Sequence, residues 1–294
     1  MALISFKCAL RVDFIYYICA GFVVGLLVGL TGVGGGSLMT PILLIFFNVK
    51  AAVAVGTDLL YASITKSVGI FAHGKLGNID WKIVRLLAYG SIPASLLTLV
   101  YLKNLDIASD HAVSSIKFWL GIALLLTSIS VLFRNQLAGL SKKEHWINPE
   151  YTPTLTVILG IILGFLVTLT SVGAGALGVT ALLILYPKIS ITKIVGTDVA
   201  HAVPLTLVAG LGHASLGTVD YRLLGTLLIG SIPGIWIGSH LSAKVAEHWV
   251  RTVLALILVY VGQKLAFPEF NQLIGISVLL FIVALKELGL KRTK

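Results

Sequence analysis

Apolar segments of about 20 residues recur along the whole chain, and this feature restricts the fold more than any other. Such a segment is long enough to cross the hydrocarbon core of a bilayer, which is about 30 Å thick. The polar connections between the segments are too short to form a separate soluble domain. Because the bilayer core offers no water, a spanning chain must satisfy its main-chain hydrogen bonds internally, as an α-helix does. The sequence therefore predicts an all-α, polytopic helical membrane protein.

Composition excludes several other classes of protein. Only 12% of the 294 residues are charged, whereas soluble proteins carry about 25%, and the mean hydropathy is +1.00. The net charge of +10 is not concentrated in basic runs interleaved with aromatic residues, so no nucleic-acid partner is predicted. The two cysteines, Cys8 and Cys19, have no spacing that is typical of a metal site. The lipid bilayer is the first predicted partner.

The second strong feature is an internal duplication. Residues 25–44 match residues 164–183 with eleven identities in twenty positions, and residues 55–93 match residues 195–233 with fifteen identities in thirty-nine. The matches include glycines and polar residues, which chance does not align in the same order. Many secondary transporters consist of duplicated halves, with the substrate site at the interface between the repeats. We therefore predict a membrane transporter built from two repeats of about five helical elements each.

The distribution of Lys and Arg predicts how the repeats are oriented, because these residues concentrate in cytoplasmic loops. If each glycine-rich stretch folds back as a hairpin and the N-terminus lies outside, fourteen of the twenty Lys and Arg residues other than Lys66 and Lys117 are cytoplasmic; a single pass divides these twenty ten and ten. We therefore predict inverted repeats, with the N-terminus outside and a cytoplasmic C-terminus. The predicted parts are a first repeat, a cytoplasmic linker and a second repeat, at residues 1–133, 134–152 and 153–294.

Each repeat carries a cluster of glycines inside an apolar segment, at Gly32–Gly36 and at Ser171–Gly175. We interpret both clusters as helix breaks, because glycine adopts conformations that end a helix. Unpaired main chain is tolerated at membrane depth where it lines a polar cavity, and the N-terminus of the next helix attracts anions. The predicted substrate-binding glycines are Gly34, Gly35, Gly36, Gly173 and Gly175. The alternative role, helix packing, is assigned to the ladder of Gly21, Gly25 and Gly29.

Ionisable residues inside the apolar segments form a third pattern, because such residues are costly in a membrane and mark functional sites. In each repeat an aspartate and a histidine share one face of a predicted helix. The predicted candidates for proton coupling are Asp58, Asp198, His73 and His213. Thr57 and Thr197, which precede the aspartates, are predicted to bind substrate. An alternative interpretation is that both Thr-Asp pairs cap helix N-termini.

Lys66 breaks the symmetry between the repeats, since its repeat mate is Thr206. A lysine side chain acts as a point charge, and a charge kept deep in an apolar segment is costly. We therefore predict that Lys66 binds an anionic substrate. The alternative is a structural ion pair with Asp58, which lies eight residues earlier.

At these positions the chain resembles a known family. The segments GLTGVGGGSLMTPILL, AVGTDLLYASITKSVGIFAHGKLGNIDW and GSIP, each echoed in the second half, resemble the sulfite exporter TauE/SafE family over about residues 21–265. The resemblance implies transport of small anions of sulfur metabolism, such as sulfite and organosulfonates, across the bacterial cytoplasmic membrane. The family's glycine motif falls on Gly32–Gly36, and its Gly-Thr-polar motif on Gly56–Asp58 and Gly196–Asp198. Many members have serine where this chain has aspartate, a departure that favours proton coupling.

Together the patterns predict a secondary transporter that exports sulfite or a related small organosulfur anion, with proton coupling as an option. The alternatives are an anion channel or importer of the same architecture, and a membrane scaffold that transports nothing. The sequence contains no Ser/His/Asp cluster, paired carboxylates or Cys/His metal spacing, so no enzyme, metal site or cofactor is predicted. The exact substrate, the direction of transport, the coupling ion and the oligomeric state stay open.

Overall fold

The computed structural model describes residues 2–31, 36–75, 77–105, 109–143, 148, 150–241 and 247–269. Within these ranges the chain forms helices and no β-strand. The helices are α1 (Ala2–Thr31), α2 (Gly36–Ile45), α3 (Ala51–Lys75), α4 (Trp81–Asn104), α5 (Asp110–Lys143), α6 (Thr152–Thr170), α7 (Ala176–Leu185), α8 (Ile191–Ser215), α9 (Tyr221–Leu241) and α10 (Glu247–Ala266).

Several helices are long and apolar enough to cross a membrane. Among the described residues, five helical segments meet this condition: Trp81–Asn104, Val113–Arg134, Thr152–Thr170, Ile191–Ser215 and Tyr221–Leu241. Large apolar side chains on their surfaces are exposed, among them Leu97 and Ile232, as expected for contact with lipid. The short helices α2 and α7 contain ten residues each, about 15 Å of helix, or half the hydrocarbon core. The predicted all-α, polytopic membrane fold is confirmed.

Close packing of α1 against α9 depends on glycine. Gly21, Gly25 and Gly29 lie against the main chain of α9, and a methyl group at any of them would overlap a carbonyl oxygen of that helix. The contacts advance from Leu227 to Ile235 as α1 proceeds, so the two helices run parallel. The predicted role of this ladder in helix contact is confirmed.

The second half repeats this contact with the roles exchanged. Gly160 and Gly164 of α6 lie against the main chain of Leu87 and Ser91 of α4, and these helices also run parallel. The first helix of each half therefore packs against the fourth helix of the other half. The small residues allow both pairs of main chains to approach closely.

Helices at the same position in the two halves pack antiparallel. In the pair α3 and α8, Leu60 lies against Gly210, whereas Gly56, one turn earlier, lies against Thr218. The pair α5 and α10 shows the same reversal, in contacts of Gly121 with Gly262 and of Ser128 with Ala255. Helices α3 and α8 lie at the centre of the described bundle, and most of their residues between Ala51 and Ser63 and between Gly196 and His213 are buried.

The second half folds back at its glycine cluster. Gly178, in the first turn of α7, lies against Leu163, two turns before the end of α6. The Tyr186 hydroxyl, just after α7, lies 2.7 Å from the Thr156 hydroxyl, near the start of α6. The chain therefore returns to the side from which α6 entered, as the hairpin interpretation predicts for this repeat.

Helix α5 continues beyond the predicted end of the first repeat at residue 133 and reaches Lys143. The first part of the segment predicted as a linker, residues 134–152, is therefore helical. Residues 144–147 and 149 lie outside the described residues. The division of the chain into two repeats and a linker stays a prediction.

Candidate functional site

The break in the second half is made by residues in unusual main-chain conformations. Helix α6 ends at Thr170, and Ser171 adopts a left-handed conformation with φ of 61°. Gly173 and Gly175 follow with φ of 126° and 121°, values that side chains other than glycine rarely allow. The predicted break at Ser171–Gly175 is therefore confirmed. In the first half, α1 ends at Thr31 and α2 begins at Gly36, while Gly34 and Gly35 lie outside the described residues.

The break leaves main-chain donors at the N-terminus of α7. Among the described residues, the N–H groups of Gly173, Ala174 and Gly175 donate to no main-chain carbonyl. The first turn of a helix has unpaired N–H groups, and the aligned peptide dipoles add partial positive charge there. This end of α7 has the chemistry that the sequence predicts for a small-anion site.

Asp198 of α8 reaches the same end of α7. It is fully buried, and neither carboxylate oxygen has a hydrogen-bond partner among the described residues. The carboxylate packs against Gly178, where a methyl group would overlap its Oδ1 atom. The main-chain N–H of Gly175 also lies near the carboxylate. Asp198 thus places a negative charge of the protein at the position predicted for a substrate anion.

Asp58, the repeat mate of Asp198, is held differently. Its Oδ2 atom accepts hydrogen bonds from the Thr40 hydroxyl at 2.6 Å and from the Thr40 main-chain N–H at 3.2 Å. Thr40 belongs to α2, the short helix of the first half. The Oδ1 atom of Asp58 is buried without a partner among the described residues, and the Ser171 side chain lies beside this carboxylate.

The alternative interpretation of the Thr-Asp pairs as helix caps is wrong. Helix α3 begins at Ala51 and helix α8 at Ile191, so both pairs lie more than one turn inside a helix. The N-cap of α8 is Ser190, whose hydroxyl accepts a hydrogen bond from Lys193 N at 3.4 Å. The pairs therefore act between helices rather than at the start of their own helix.

Lys66 connects the first half to the break in the second half. Its ammonium group donates a hydrogen bond to the Ala174 carbonyl at 3.0 Å, and the residue is 8% exposed. The alternative, an ion pair with Asp58, does not form, because Lys66 and Asp58 make no salt bridge. The Lys66 charge acts at longer range on both buried carboxylates, more strongly on Asp198 than on Asp58.

Thr57 and Thr197 link the two halves in matching ways. Thr57 Oγ1 accepts a hydrogen bond from Asp220 N at 3.0 Å, and Thr197 Oγ1 accepts one from Asp80 N at 2.9 Å. Asp80 caps the N-terminus of α4 through Lys82 N and Ile83 N, and Asp220 does the same for α9. Each threonine therefore positions a helix start of the opposite half. Substrate binding by either threonine stays a prediction.

The histidines differ in how they are held. Both ring nitrogens of His213 are engaged: Nδ1 lies 2.9 Å from the Thr218 hydroxyl, and Nε2 lies 3.0 Å from the Thr168 carbonyl. His73 lies outside the residues whose side chains are described. His201, three residues after Asp198, is fully buried with Nε2 2.8 Å from the Ser91 hydroxyl of the first GSIP segment. Proton coupling through His73 or His213 stays a prediction.

The structure thus brings Lys66, Asp58 and Asp198 together at the break before α7. Within the described part of the chain, no group of three His, Cys, Asp or Glu residues could hold a metal ion. Sequence reasoning missed Thr40 and Gly178, which decide how each aspartate is held. The signal was present in the repeat alignment, where Thr40 faces Val179 and Gly178 faces Met39.

A multi-pass helical protein with duplicated halves, broken helices and buried charges at the break belongs to the class of membrane transporters. Residues 17–265 match the sequence model of the family described as sulfite exporter TauE/SafE. The chain belongs to this family, as the motifs predict.

Relatives with known descriptions agree with this class. The chain is 43% identical over 250 residues to the "Probable membrane transporter protein YjnA" of Bacillus subtilis, covering 84% of this chain and 98% of the relative. It is 29% identical over 262 residues to a "Probable membrane transporter protein" of Methanocaldococcus jannaschii, covering 83% and 92%. No solved structure matches the chain. The protein is therefore a multi-pass membrane transporter for a small substrate.

Proposed function

We propose that the protein is a secondary transporter that exports a small sulfur-containing anion, sulfite or an organosulfonate, across the bacterial inner membrane. The N-terminus lies outside and the C-terminus in the cytoplasm. One observation carries the proposal: a buried ammonium group, that of Lys66, lies at a helix break whose main-chain N–H groups have no main-chain acceptor among the described residues. Ammonium and amide groups together favour an anion over a cation or a neutral solute.

The packing of the halves supports an inverted repeat. Helices α3 and α8, and likewise α5 and α10, occupy equivalent places in the two halves and run antiparallel. An axis in the membrane plane relates such helices. Transporters with this symmetry alternate access by rocking one repeat against the other around a central site. The site proposed here lies where α3 of the first half meets the break of the second half.

The proposed anion site combines groups from both halves. The Lys66 ammonium and the N–H groups of Gly173 and Gly175 contact the anion from the second-half break. By symmetry, Gly34, Gly35 and Gly36 offer the corresponding groups in the first half. Thr57 and Thr197 hold the helix starts on either side and can donate to the substrate when the halves move apart. The anion replaces the Ala174 carbonyl as the partner of Lys66.

Charge balance supports coupling to protons. With both carboxylates ionised, Asp58, Asp198 and Lys66 carry a net charge of −1, which opposes a further anion in a medium of low dielectric constant. Protonation of one carboxylate removes this opposition. We assign the proton to Asp198, because Thr40 already holds Asp58 with two hydrogen bonds. An anion and a proton then cross together.

The proposal is tested in liposomes that contain the purified protein and a pH-sensitive dye. We expect a saturable, sulfite-dependent proton flux that Lys66→Ala lowers about tenfold or more, the effect of losing a charged hydrogen-bond donor. Lys103→Ala, which removes an exposed lysine of α4, is the matched control and keeps the flux. Full activity of a correctly inserted Lys66→Ala variant contradicts the proposed site.

Further arms of the same experiment separate the alternatives. Internal sulfite speeds uptake of external sulfite in a carrier but not in a channel. Flux with organosulfonates and none with sulfite changes the substrate and keeps the mechanism. Absence of flux with every anion favours the membrane scaffold.

A further inference from the structure

A cavity of about 350 Å³ lies between the start of α4, the start of α6 and the end of α7. This volume is in the range of small-molecule sites, about 300–1,000 Å³. Most of the cavity wall is apolar and includes the side chains of Leu86, Pro153, Tyr186 and Ile189. The Tyr186 ring is held in place, because its hydroxyl lies 2.7 Å from the Thr156 hydroxyl. The cavity is therefore a preformed apolar cleft.

The cavity lies at the level of the lipid headgroups. Helices α4 and α6 run parallel and are both long enough to span a membrane, so their starts lie at the same membrane surface. Trp81, at the start of α4, is 58% exposed, and Tyr151, just before α6, is 64% exposed. Exposed Trp and Tyr side chains are typical of the boundary between hydrocarbon and water. A ligand in the cavity can therefore contact water and lipid at the same time.

Lysine side chains give the cavity a positive charge. Lys82 of α4 and Lys188, which follows α7, line it and are exposed, and neither forms an ion pair with an acidic residue in the described part of the chain. The lining also contains Asp80, whose Oδ2 atom lies 3.6 Å from the Lys193 ammonium group. Asp80 Oδ1 accepts hydrogen bonds from main-chain N–H groups at the start of α4. The charge of Asp80 is thus already balanced, and Lys82 and Lys188 attract an anion.

An exposed apolar stripe continues from the cavity along α4. Tyr89, Pro93, Leu97 and Tyr101 follow Leu86 at spacings of three and four residues, which places them on one face of the helix. Tyr89, Leu97 and Tyr101 are each more than half exposed. From Leu86 to Tyr101 the stripe is about 22 Å long. It can therefore cover an acyl chain through one leaflet, which is about half of a 30 Å hydrocarbon core.

We propose that this cavity binds one anionic phospholipid of the surrounding leaflet. The phosphate lies between the Lys82 and Lys188 ammonium groups, the glycerol backbone fills the apolar cleft beside Tyr186, and an acyl chain follows the stripe on α4. Basic pockets between membrane-spanning helices bind anionic headgroups. A zwitterionic lipid carries its own cation, which the positive charge of the site opposes. The site goes beyond the proposed function, because the ten residues of α7 separate it from the central break by about 15 Å.

The cavity joins parts of both halves. Lys82 belongs to α4 of the first half, and Lys188 follows α7 of the second half. The halves also meet here through Asp80, whose main-chain N–H donates to Thr197 Oγ1 at 2.9 Å and whose carboxylate pairs with Lys193. A ligand that binds one arrangement of a protein stabilises that arrangement. A phosphate bound to both lysines therefore stabilises the present packing of the halves.

The duplication predicts one such site rather than two. Lys82 corresponds to Arg222, which keeps a positive charge. Lys188 corresponds to Asn48 or Val49, depending on whether the offset between the repeats is 140 or 139, and neither residue is charged. The lipid site therefore belongs to one membrane surface. In the proposed orientation this is the cytoplasmic surface, where the leaflet is anionic.

The test measures lipid binding to the purified full chain in a neutral detergent by native mass spectrometry. We expect one molecule of phosphatidylglycerol to bind about tenfold or more tightly than the zwitterionic phosphatidylcholine. Lys82→Gln combined with Lys188→Gln raises the Kd for phosphatidylglycerol about tenfold or more, whereas Lys82→Arg combined with Lys188→Arg keeps the charge and the affinity. Lys103→Gln, which removes an exposed lysine at the opposite end of α4, is the matched control and leaves the Kd unchanged.

Three outcomes overturn the proposal: equal binding of the two lipids, a Kd that the double glutamine variant leaves unchanged, and binding of glycerol phosphate as tight as that of the whole lipid. The third outcome shows a site for a free phosphate instead of a lipid. Thermal unfolding without added lipid shows whether each variant is folded, and the single glutamine variants supply the result if the double variant is not. No transported anion is present, so failure of sulfite transport and failure of lipid binding are separate results.

Discussion

Asp58 and Asp198 occupy equivalent positions in the two halves, yet the protein holds them in different ways. Both carboxylates are fully buried in the central helices. Asp58 accepts two hydrogen bonds from Thr40 on the short helix of its own half. Asp198 has no hydrogen-bond partner among the described residues. One half therefore holds its carboxylate by hydrogen bonds from a short helix, and the other half does not.

Two differences in sequence between the short helices α2 and α7 explain why the aspartates are held differently. Thr40 corresponds to Val179, which has no hydroxyl to donate, and Met39 corresponds to Gly178, which has no side chain. The absence of a Cβ atom lets Asp198 approach the main chain of α7 closely. A buried carboxylate without hydrogen bonds is destabilising, and such residues persist in membrane proteins mainly for function.

The buried cation near the two carboxylates is also present in one half only. Lys66 extends from α3 to the Ala174 carbonyl at the break of the other half. Its repeat mate Thr206 instead donates to the Ala202 carbonyl in its own helix at 2.8 Å. The first half therefore supplies the cation and the second half supplies the broken helix and the unbonded carboxylate, which makes the proposed site a property of the two halves together.

The largest effect is expected from Asp198→Asn. If this carboxylate carries the coupling proton, the amide removes coupling, and we expect sulfite-dependent proton flux to fall at least tenfold and to lose its dependence on pH. Asp58→Asn is the comparison variant, with a smaller loss of flux and a dependence on pH that persists. Sulfite-dependent proton flux into liposomes, measured from about pH 5 to about pH 8, tests both variants. Equal behaviour of the two variants would remove the distinction between the halves.

A smaller loss of transport is expected from Gly178→Ala. The added methyl group overlaps Asp198 Oδ1 and pushes the carboxylate away from the N-terminus of α7. We expect the transport rate to fall several-fold, in the range of about 1 kcal/mol. Gly225→Ala is the matched control, because no atom lies within 4 Å of a methyl group at that position of α9. An unchanged rate for Gly178→Ala means that the close approach of Asp198 has no role in transport.

Exchanging the residues that pair with the two aspartates is expected to change the stability of the protein in one half and its transport rate in the other. Thr40→Val removes the hydroxyl donor to Asp58 Oδ2 and keeps the side-chain shape and the main-chain N–H donor, and we expect a destabilisation of about 1–3 kcal/mol. Val179→Thr places a hydroxyl at the position equivalent to Thr40 and is expected to slow transport by holding the Asp198 carboxylate. Thermal unfolding in detergent and liposome flux test the two variants. Loss of stability from Val179→Thr with unchanged flux speaks against the role assigned to the missing hydroxyl.

The smallest effects are expected from Thr57→Val and Thr197→Val. Each variant removes one hydrogen bond to the start of a helix in the other half, which costs about 1 kcal/mol. The two bonds between the halves are equivalent, but Thr197 also donates to the Lys193 carbonyl in its own helix at 2.7 Å. We therefore expect both variants to lower the thermal unfolding midpoint, Thr197→Val slightly more than Thr57→Val. A shift for one threonine and none for the other shows that the asymmetry extends to the helix starts.

The sequence by itself determined the helical membrane fold, the duplication and the position of the second-half break. Apolar length and low charge dictate spanning helices, because lipid leaves no other arrangement for most of the main chain. The glycines at 173 and 175 mark the break, because their positive φ values suit few other residues. The role of Gly21, Gly25 and Gly29 in helix packing could also be predicted from the sequence, because close helix contact requires small residues at that spacing.

Only the tertiary structure decided which groups meet. Lys66 and Ala174 are 108 residues apart, and Thr57 and Asp220 are 163 residues apart, so no local pattern predicts either contact. The interpretation of Thr57 and Asp58 as a cap failed because α3 begins earlier, at Ala51, among apolar residues without a capping signal. Side-chain partners depend on how the halves pack against each other, whereas helices depend on the local sequence and the solvent.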